Sequence, residues 1–285
     1  MITIRELRSR IRATKNIEHI TSAMQKVSAA RLNKARQRLV AVRPYADTLE
    51  EMARDLVAEY NLKDHPLFKQ NPGNRALVVA LNADKGLCGA YNSAIATQLD
   101  QFIKAHSGSS VEVLACGKKI RDHCRRKNIK LFAESINTPV FFKFNIAQKL
   151  ADDIMAAYET GGFSQVHLLY TRFVSASHQE TALAQLLPFA FIACNESAVA
   201  HNFIYEPSPK AIMQGLIPSA IRTRVWEALL DASASEHAFR MIMMEQASVN
   251  ADKMITELVQ TANKLRQSMI TKELSEIVGT SEALK

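Results

Sequence analysis

Apolar residues recur three to four positions apart along the first 60 residues, which is the spacing of one face of an α-helix. Thr3 and Glu6 are spaced as an N-terminal capping box. The pattern predicts one helix from about Thr3 to Glu59, roughly 80 Å long, with a kink or local break at Pro44. Its apolar stripe is narrow, as in a two-stranded coiled coil, and consists of Ile4, Leu7, Ile11, Ile17, Ile20, Met24, Val27, Ala35, Leu39 and Val42.

A second long helix is predicted at the other end of the chain. Ser208 stands at the N-cap and Pro209 at the first helical position. Gly279 predicts the end of the helix, which would run to about Val278, roughly 105 Å, with a kink at Pro218. Its apolar stripe includes Met254, Leu258, Leu265 and Met269.

Between these helices the pattern changes, since eight of the nine Gly and seven of the eight Pro lie within 66–218. Short apolar runs alternate there with helical periodicity, which predicts a mostly parallel sheet with helices on its faces. The predicted strands are 76–81, 111–116, 129–133 and 166–173, with a hairpin or edge segment at 182–187. The predicted helices are 92–105, a basic one ending near Lys127, and 146–158.

Helices of this length cannot bury themselves in a small globule, so they must pair with each other or with a partner. An antiparallel pair that enters and leaves one central domain is the simplest arrangement. The expected fold class is therefore α/β, with a long antiparallel coiled coil of the N- and C-terminal helices. The expected division is 1–60, 61–207 and 208–285. This architecture indicates a shaft or strut rather than a simple enzyme.

The net positive charge of the chain belongs to the first helix. Residues 1–43 hold eleven Lys or Arg against two Glu, a net +9, whereas the whole chain is +8. This imbalance predicts an acidic partner for that helix: nucleic acid, anionic lipid or an acidic protein surface. A merely solvated basic face is the plain alternative.

We expect neither a transmembrane helix nor a signal peptide, because long apolar runs are missing. The four cysteines form no C-x-x-C pair, which favours buried free thiols.

Few residues suggest chemistry of their own. The loop 84–89 follows a strand and precedes a helix, where phosphates bind in other proteins. It has only a G-x-x-G pattern, so a structural turn is the better interpretation. Cys88 is more plausibly a small buried residue than a reactive thiol, and His123-Cys124 lacks companions at metal-ligand spacing. We expect no catalytic, cofactor or metal residues.

Several motifs, in order, closely resemble the gamma subunit of F-type ATP synthase. They are 16–30 (NIEHITSAMQKVSAA), 43–46 (RPYA), 84–89 (DKGLCG), 205–207 (YEP), 234–238 (ASEHA), 263–267 (NKLRQ) and 270–276 (ITKELSE). The resemblance covers essentially the whole chain. It implies a central Rossmann-like α/β domain and a non-catalytic rotor shaft without cofactors. The implied partners are the alpha and beta subunits of the catalytic ring, the epsilon subunit and the membrane c-ring, at the cytoplasmic face of the membrane.

The resemblance also implies which residues meet those partners. Contacts with the catalytic ring fall at Met24, Lys26, Arg240, Arg266, Gln267, Thr271, Glu273 and Glu276. Contacts with the membrane ring or epsilon fall at Tyr205, Glu206 and Ser208. A coiled-coil core position is the plain alternative for Met24, and a solvated face for the others.

The chain departs from the family pattern in its tail (279–283), at Glu245 and Val249, and at Pro218. These departures predict a divergent bacterial or archaeal version. Two other hypotheses remain: an adaptor that binds nucleic acid or anionic membrane through the basic helix, and an enzyme that uses the loop 84–89.

Overall fold

The computed structural model describes residues 3–60, 65–136, 143–189 and 205–283. These residues group into two compact units, one formed within 1–28 and 240–285 and the other within 29–239. The predicted division at residues 60 and 207 follows element boundaries instead and stays a prediction.

The first long helix, α1, runs over Ile4–Tyr60. Its start is fixed by the predicted capping box, in which the Glu6 amide donates to Thr3 Oγ1 (3.2 Å) and the Thr3 amide donates to Glu6 Oε2 (2.9 Å). The last helix, α5, runs over Pro209–Ala283, and the Ala211 amide donates to Ser208 Oγ at 3.2 Å. Neither Pro44 nor Pro218 interrupts its helix, so the local break considered at Pro44 is absent.

The predicted end of α5 at Gly279 is wrong, because the helix continues to Ala283. A glycine ends a helix when it adopts a left-handed conformation, and Gly279 does not have a positive φ. Thr280 Oγ1 donates to the Glu276 carbonyl at 2.8 Å in the usual helical geometry. The cost of one glycine inside a helix, about 1 kcal/mol, does not stop it here.

The central elements follow the predicted α/β alternation. After a short 3-10 turn at Pro66–Phe68 come β1 (Arg75–Leu81), α2 (Tyr91–Ala105), β2 (Ser110–Cys116), α3 (Lys118–Arg126), β3 (Leu131–Ser135), α4 (Phe144–Glu159), β4 (Gln165–Phe173) and β5 (Gln179–Leu187). The five strands lie in the order β3-β2-β1-β4-β5. All pairings are parallel except β4 with β5, so the predicted edge hairpin is confirmed.

The third strand lies two residues later than predicted. Ile129 donates its amide to the Cys124 carbonyl (2.9 Å), which closes the end of α3 rather than beginning a strand. The pairing of β2 with β3 is also irregular between Val113 and Leu114. A short, half-exposed edge strand gives a weak sequence signal, which is why its bounds were missed.

Both faces of the sheet are covered. On one face, α2 and α3 bury Ile95, Leu99 and Ile120 against the strands. On the other face lie α4 and parts of both long helices, including Leu56 of α1 and Val225 of α5. The long helices are therefore an integral part of the core of the 29–239 unit.

In this unit α1 and α5 are antiparallel, as predicted: Arg43 pairs with Asp231, whereas Glu50, further along α1, pairs with Arg224, further back along α5. The buried residues of α1 repeat in heptads typical of a coiled coil. They are Leu32, Ala35, Leu39, Val42, Ala46, Leu49, Ala53 and Leu56.

In the unit that contains the two chain ends, the same heptad register places polar residues inside: Thr14, Thr21 and Ser28 are buried. Their neighbours predicted to form the core, Ile17, Ile20 and Val27, are instead 54%, 59% and 49% exposed. The buried hydroxyls are accommodated because Thr14 and Thr21 donate to the helix carbonyls of Arg10 and Ile17. In this part of α1, the buried residues follow the seven-residue repeat and are not the most apolar ones.

The part of α5 in that unit follows the same rule. Leu258 and Leu265 are half-buried, as predicted, but Met254 and Met269 are exposed. Ser248 Oγ donates to Glu18 Oε1 of α1 at 3.3 Å, so the two helices contact each other here as well.

Candidate functional site

The loop 84–89 is used for structure rather than for phosphate binding. Asp84 Oδ1 accepts the Lys118 amide (2.9 Å) at the start of α3. Cys88 is buried, as expected, with Asn92 Nδ2 at 3.0 Å from its sulfur. Leu87 is exposed with a positive φ of 62°. The side chains of Asp84 and Cys88 are thus engaged within the fold.

Open α/β sheets bind ligands at the carboxyl ends of the strands, where the strand order reverses. In this sheet that place lies between β1 and β4. Here α5 occupies it: Tyr91 Oη at the start of α2 donates to the Ala232 carbonyl (3.2 Å), and Ser235 Oγ donates to the Thr171 carbonyl of β4 (3.1 Å). The place where an open α/β sheet would bind a ligand is therefore occupied by α5.

A network of charged side chains continues from this contact. Asp231 Oδ1 accepts from the Phe173 amide and from Arg43 Nη2, both at 3.1 Å, and Arg43 Nη2 also donates to the Phe173 carbonyl at 2.9 Å. Glu227 Oε1 lies 3.8 Å from Arg43 Nε, and its Oε2 lies 3.3 Å from Arg224 Nη1. The network joins α1, α5 and the end of β4.

Burial changes the acidity of this network. It raises the pKa of Asp231 to about 6, although the Phe173 amide and the Arg43 charge act in the opposite direction. Burial also raises the pKa of the Tyr170 hydroxyl. For Arg224, burial lowers the pKa, but the neighbouring Glu50 and Glu227 carboxylates outweigh that effect and raise it. Each shift is the consequence of enclosing charges between helix and sheet.

The residues assigned to the catalytic ring lie in different surroundings. Met24 is half-buried beside the exposed column of Ile17, Ile20 and Val27, and Lys26 is exposed. Arg240 is buried, with 6% of its surface exposed, so it does not lie on a solvated face. The others are exposed on all sides of α5 rather than on one face: Arg266, Gln267, Thr271, Glu273 and Glu276.

The residues assigned to the membrane ring lie at the start of α5. Tyr205 is half-buried, and its ring packs edge-on against Tyr60 at the end of α1, with centroids 5.4 Å apart. Glu206 is exposed, and Ser208 caps α5. The structure brings Tyr205 and Ser208 to the two helix ends, and Glu206 lies on the surface between them in sequence.

Sequence reasoning missed the charged network. The signal was present, because Asp231 is the only acidic residue in the small and apolar run 228–235. A lone carboxylate in such a run predicts a buried, partnered charge.

The described part of the chain contains no group of His, Cys, Asp or Glu able to hold a metal ion. No described helix is long and apolar enough to cross a membrane. The antiparallel helices and the filled crevice define a class: proteins in which an antiparallel helix pair is carried on an α/β domain.

Comparison with known proteins identifies the family within this class. A family model described as ATP synthase matches residues 3–284. The ATP synthase gamma chain of Heliobacterium modesticaldum is 35% identical over 288 residues, covering 99% of both chains. That of Halothermothrix orenii is 36% identical over 289 residues, covering 100% of both. The chain belongs to the ATP synthase gamma-chain family.

Solved structures agree. The central stalk and c-ring structure of the Tetrahymena thermophila mitochondrial ATP synthase contains a chain with a TM-score of 0.64 and 26% identity, over 80% of this chain and 99% of that one. The rotor of the Euglena gracilis mitochondrial enzyme has the same TM-score at 17% identity, which shows the fold, over 94% and 98% of the two chains.

The chain is accordingly the central rotor shaft of an F-type ATP synthase. It is a non-catalytic subunit that couples transmembrane ion flow to ATP synthesis or hydrolysis by rotation. The adaptor hypothesis finds no support in these relatives.

Proposed function

We propose that this shaft turns inside a ring of three alpha and three beta subunits, while its α/β domain docks on the membrane c-ring together with the epsilon subunit. The observation that supports this proposal is the exposed apolar column of α1, Ile17, Ile20 and Val27. Large apolar side chains in a row on an exposed helix face are typical of a protein contact. Membrane association would then be peripheral, on the cytoplasmic face, through the c-ring.

The exposed end of α5 is the second surface that we assign to the catalytic ring. Ile270, Leu274 and Ile277 are about half or more exposed, and they alternate with the polar residues named above. In this proposal Arg266, Gln267, Thr271, Glu273 and Glu276 contact the ring at particular angles of rotation, and Met24 and Lys26 contact it from α1. Arg240, being buried, would act mainly by supporting the helix that carries them. Tyr205, Glu206 and Ser208 would meet the c-ring or epsilon.

The net positive charge of α1 suits a surface that must slide past the catalytic subunits as the shaft turns. Its eleven basic residues within 1–43 would face acidic loops of the catalytic subunits. Coulomb attraction is long-ranged and depends weakly on angle, so it tolerates rotation better than directional hydrogen bonds do.

Rotation would couple to chemistry through asymmetry. A single asymmetric shaft presents a different side to each of three similar sites, so each orientation stabilises a different conformation of each site. The coupling is reciprocal, because a ligand that favours one site conformation must favour the matching shaft orientation.

A gentle detergent pull-down of the tagged chain from its native membranes tests this proposal. We expect one copy of the chain beside three copies each of two nucleotide-binding subunits, with ATPase activity. The variant Ile20→Ser should reduce the recovered ring, whereas Thr261→Ser, an exposed change on α5 outside the proposed contacts, should not. Recovery of the chain alone, or with nucleic acid removed by salt, would contradict the proposal.

A further inference from the structure

The free edge of β4 is where the long helices are attached by directional bonds. The parallel pairing of β1 with β4 ends at Leu169, four residues before β4 itself ends. Beyond that point, side chains of the helices bond to the β4 backbone: Ser235 to the Thr171 carbonyl, Asp231 to the Phe173 amide and Arg43 to the Phe173 carbonyl. Helix side chains thus take the place of a neighbouring strand.

These side chains are buried far more completely than those of an ordinary surface contact. Ser235 and Asp231 are 0% and 1% exposed. Arg43, about one-third exposed, is held by Asp231 and by Glu227 as well as by the strand. We call this set of Arg43, Asp231, Ser235, Thr171 and Phe173 the helix–strand joint.

We propose that the helix–strand joint is the contact through which turning force passes between the α/β domain and the helix pair. This inference rests on the proposed function, since it assumes that force enters at one of these parts and leaves at the other. The hydrophobic effect that stabilises the same core is non-directional. Hydrogen bonds weaken steeply when their angle changes, so three of them around one strand end oppose twisting.

The joint also binds both helices at once. Arg43 belongs to α1 and Asp231 to α5, and they bond to each other as well as to the same strand residue. A twist of the domain therefore acts on the pair together instead of separating one helix from the other. This arrangement suits a shaft made of two helices that must turn together.

A second ion pair between α5 and the same domain offers a matched control. Arg222 Nε lies 2.7 Å from Asp152 Oδ1 of α4, but the two side chains are 30% and 41% exposed. Exposed pairs contribute little because water competes for both charges. Asp152→Ala and Asp231→Ala therefore remove the same atoms from an exposed and from a buried link.

The test measures the torsional stiffness of the rotor in the purified complex. The ring is fixed to a surface and a bead is attached through Gly108→Cys, where an added side chain meets no atom within 4 Å. The angular fluctuation of the bead while the rotor waits for ATP gives the stiffness. We expect Asp231→Ala to lower it several-fold and Asp152→Ala to leave it unchanged. Asp231→Asn should be intermediate, because an amide oxygen can still accept from Phe173 but does not pair with the Arg43 charge.

The outcomes separate the possible failures. Unchanged stiffness in assembled Asp231→Ala complexes, even with a lower melting temperature, would show that the joint is only structural and overturn the inference. If Asp231→Ala fails to assemble, the stiffness of Ser235→Ala complexes is measured instead. This variant removes one hydroxyl of the joint, and an unchanged stiffness would again overturn the inference. A wild-type bead that never rotates despite ATPase activity would refute the proposed function instead.

Discussion

Asp231 and Glu112 are both buried carboxylates, yet their surroundings move their pKa values in opposite directions. Burial raises the pKa of Asp231 to about 6. Burial also acts to raise the pKa of Glu112, but hydrogen bonds from Lys130 (2.8 Å) and Arg75 (2.6 Å) outweigh it and the pKa is lowered. Glu112 thus adds stability when it is ionised, whereas Asp231 adds most when it is protonated.

Glu112→Gln should therefore destabilise the protein in a pH-dependent way. Its lowered pKa means that the stability it contributes is present above its ordinary pKa of 4.5 and is lost as the pH falls through the lower folded value. At pH 7 we expect a loss of about 1–3 kcal/mol, typical of hydrogen bonds to a charged group. Urea unfolding at pH 7 and pH 3 measures it. A difference from wild type that is as large at pH 3 would contradict the assignment.

Gly117→Ala tests a steric requirement at the start of α3. Gly117 has a φ of +111°, and an added Cβ would overlap the Asn82 carbonyl, lying 2.8 Å from its carbon. Because the overlap is with backbone, the strand end or the helix must move, and we expect a loss of about 2–4 kcal/mol. Gly108→Ala is the control, since open space surrounds it. Equal unfolding midpoints for the two variants would exclude this explanation.

At the scale of the elements, the sequence predicted each α-helix and strand within the described residues, but not which face of α1 is buried near its start. The distribution of Gly and Pro located both long helices, and the alternation of periods located the sheet. The buried column of α1 near residue 21 was assigned wrongly, because Ile17, Ile20 and Val27 are more apolar than the residues actually buried. The heptad register that continues from Leu32 to Leu56 determines the buried face, and an apolar count over a short window misses it.

Thr21→Val measures how much stability the helix pair loses by burying a threonine hydroxyl at this position. The Thr21 hydroxyl donates within its own helix, to the Ile17 carbonyl at 3.1 Å, and the residue is 9% exposed. Replacing it with a methyl group should stabilise the protein by about 1 kcal/mol, the value of one buried methyl. Thr261→Val is matched, because the Thr261 hydroxyl makes the same bond, to Glu257 (2.9 Å), on an exposed face. Thermal unfolding should separate the two variants; equal shifts would mean that burial is not the cause.

At the scale of the whole molecule, the ordered motifs predicted the family, which the relatives confirm. The acidic partner that the charge distribution predicts for α1 stays a prediction. The buried charge of Asp231 could be predicted from its apolar run, but its partners Arg43 and Phe173 could not, because residues 43, 173 and 231 come together only through the tertiary fold. The roles of individual residues such as Arg266 and Glu273 also stay predictions, since they depend on partner surfaces that one chain does not contain.

Met24→Lys should impair coupling without preventing assembly. Met24 is half-buried at the edge of the exposed apolar column, so a long charged side chain fits there but can bond to the surrounding ring. We expect normal recovery of the complex, with less ATP-driven ion pumping for each ATP hydrolysed. Met254→Lys, on an exposed part of α5, is the comparison. An unchanged pumping ratio in Met24→Lys would count against a role for this position.

The most direct test of the rotor assignment is to watch the chain turn. A bead attached at position 108 of the chain in the purified complex, with the ring fixed to a surface, reports rotation during ATP hydrolysis. We expect continuous rotation in one direction that stops when ATP is exhausted. ATP hydrolysis by the intact complex while the bead shows only random motion about a fixed angle would contradict it.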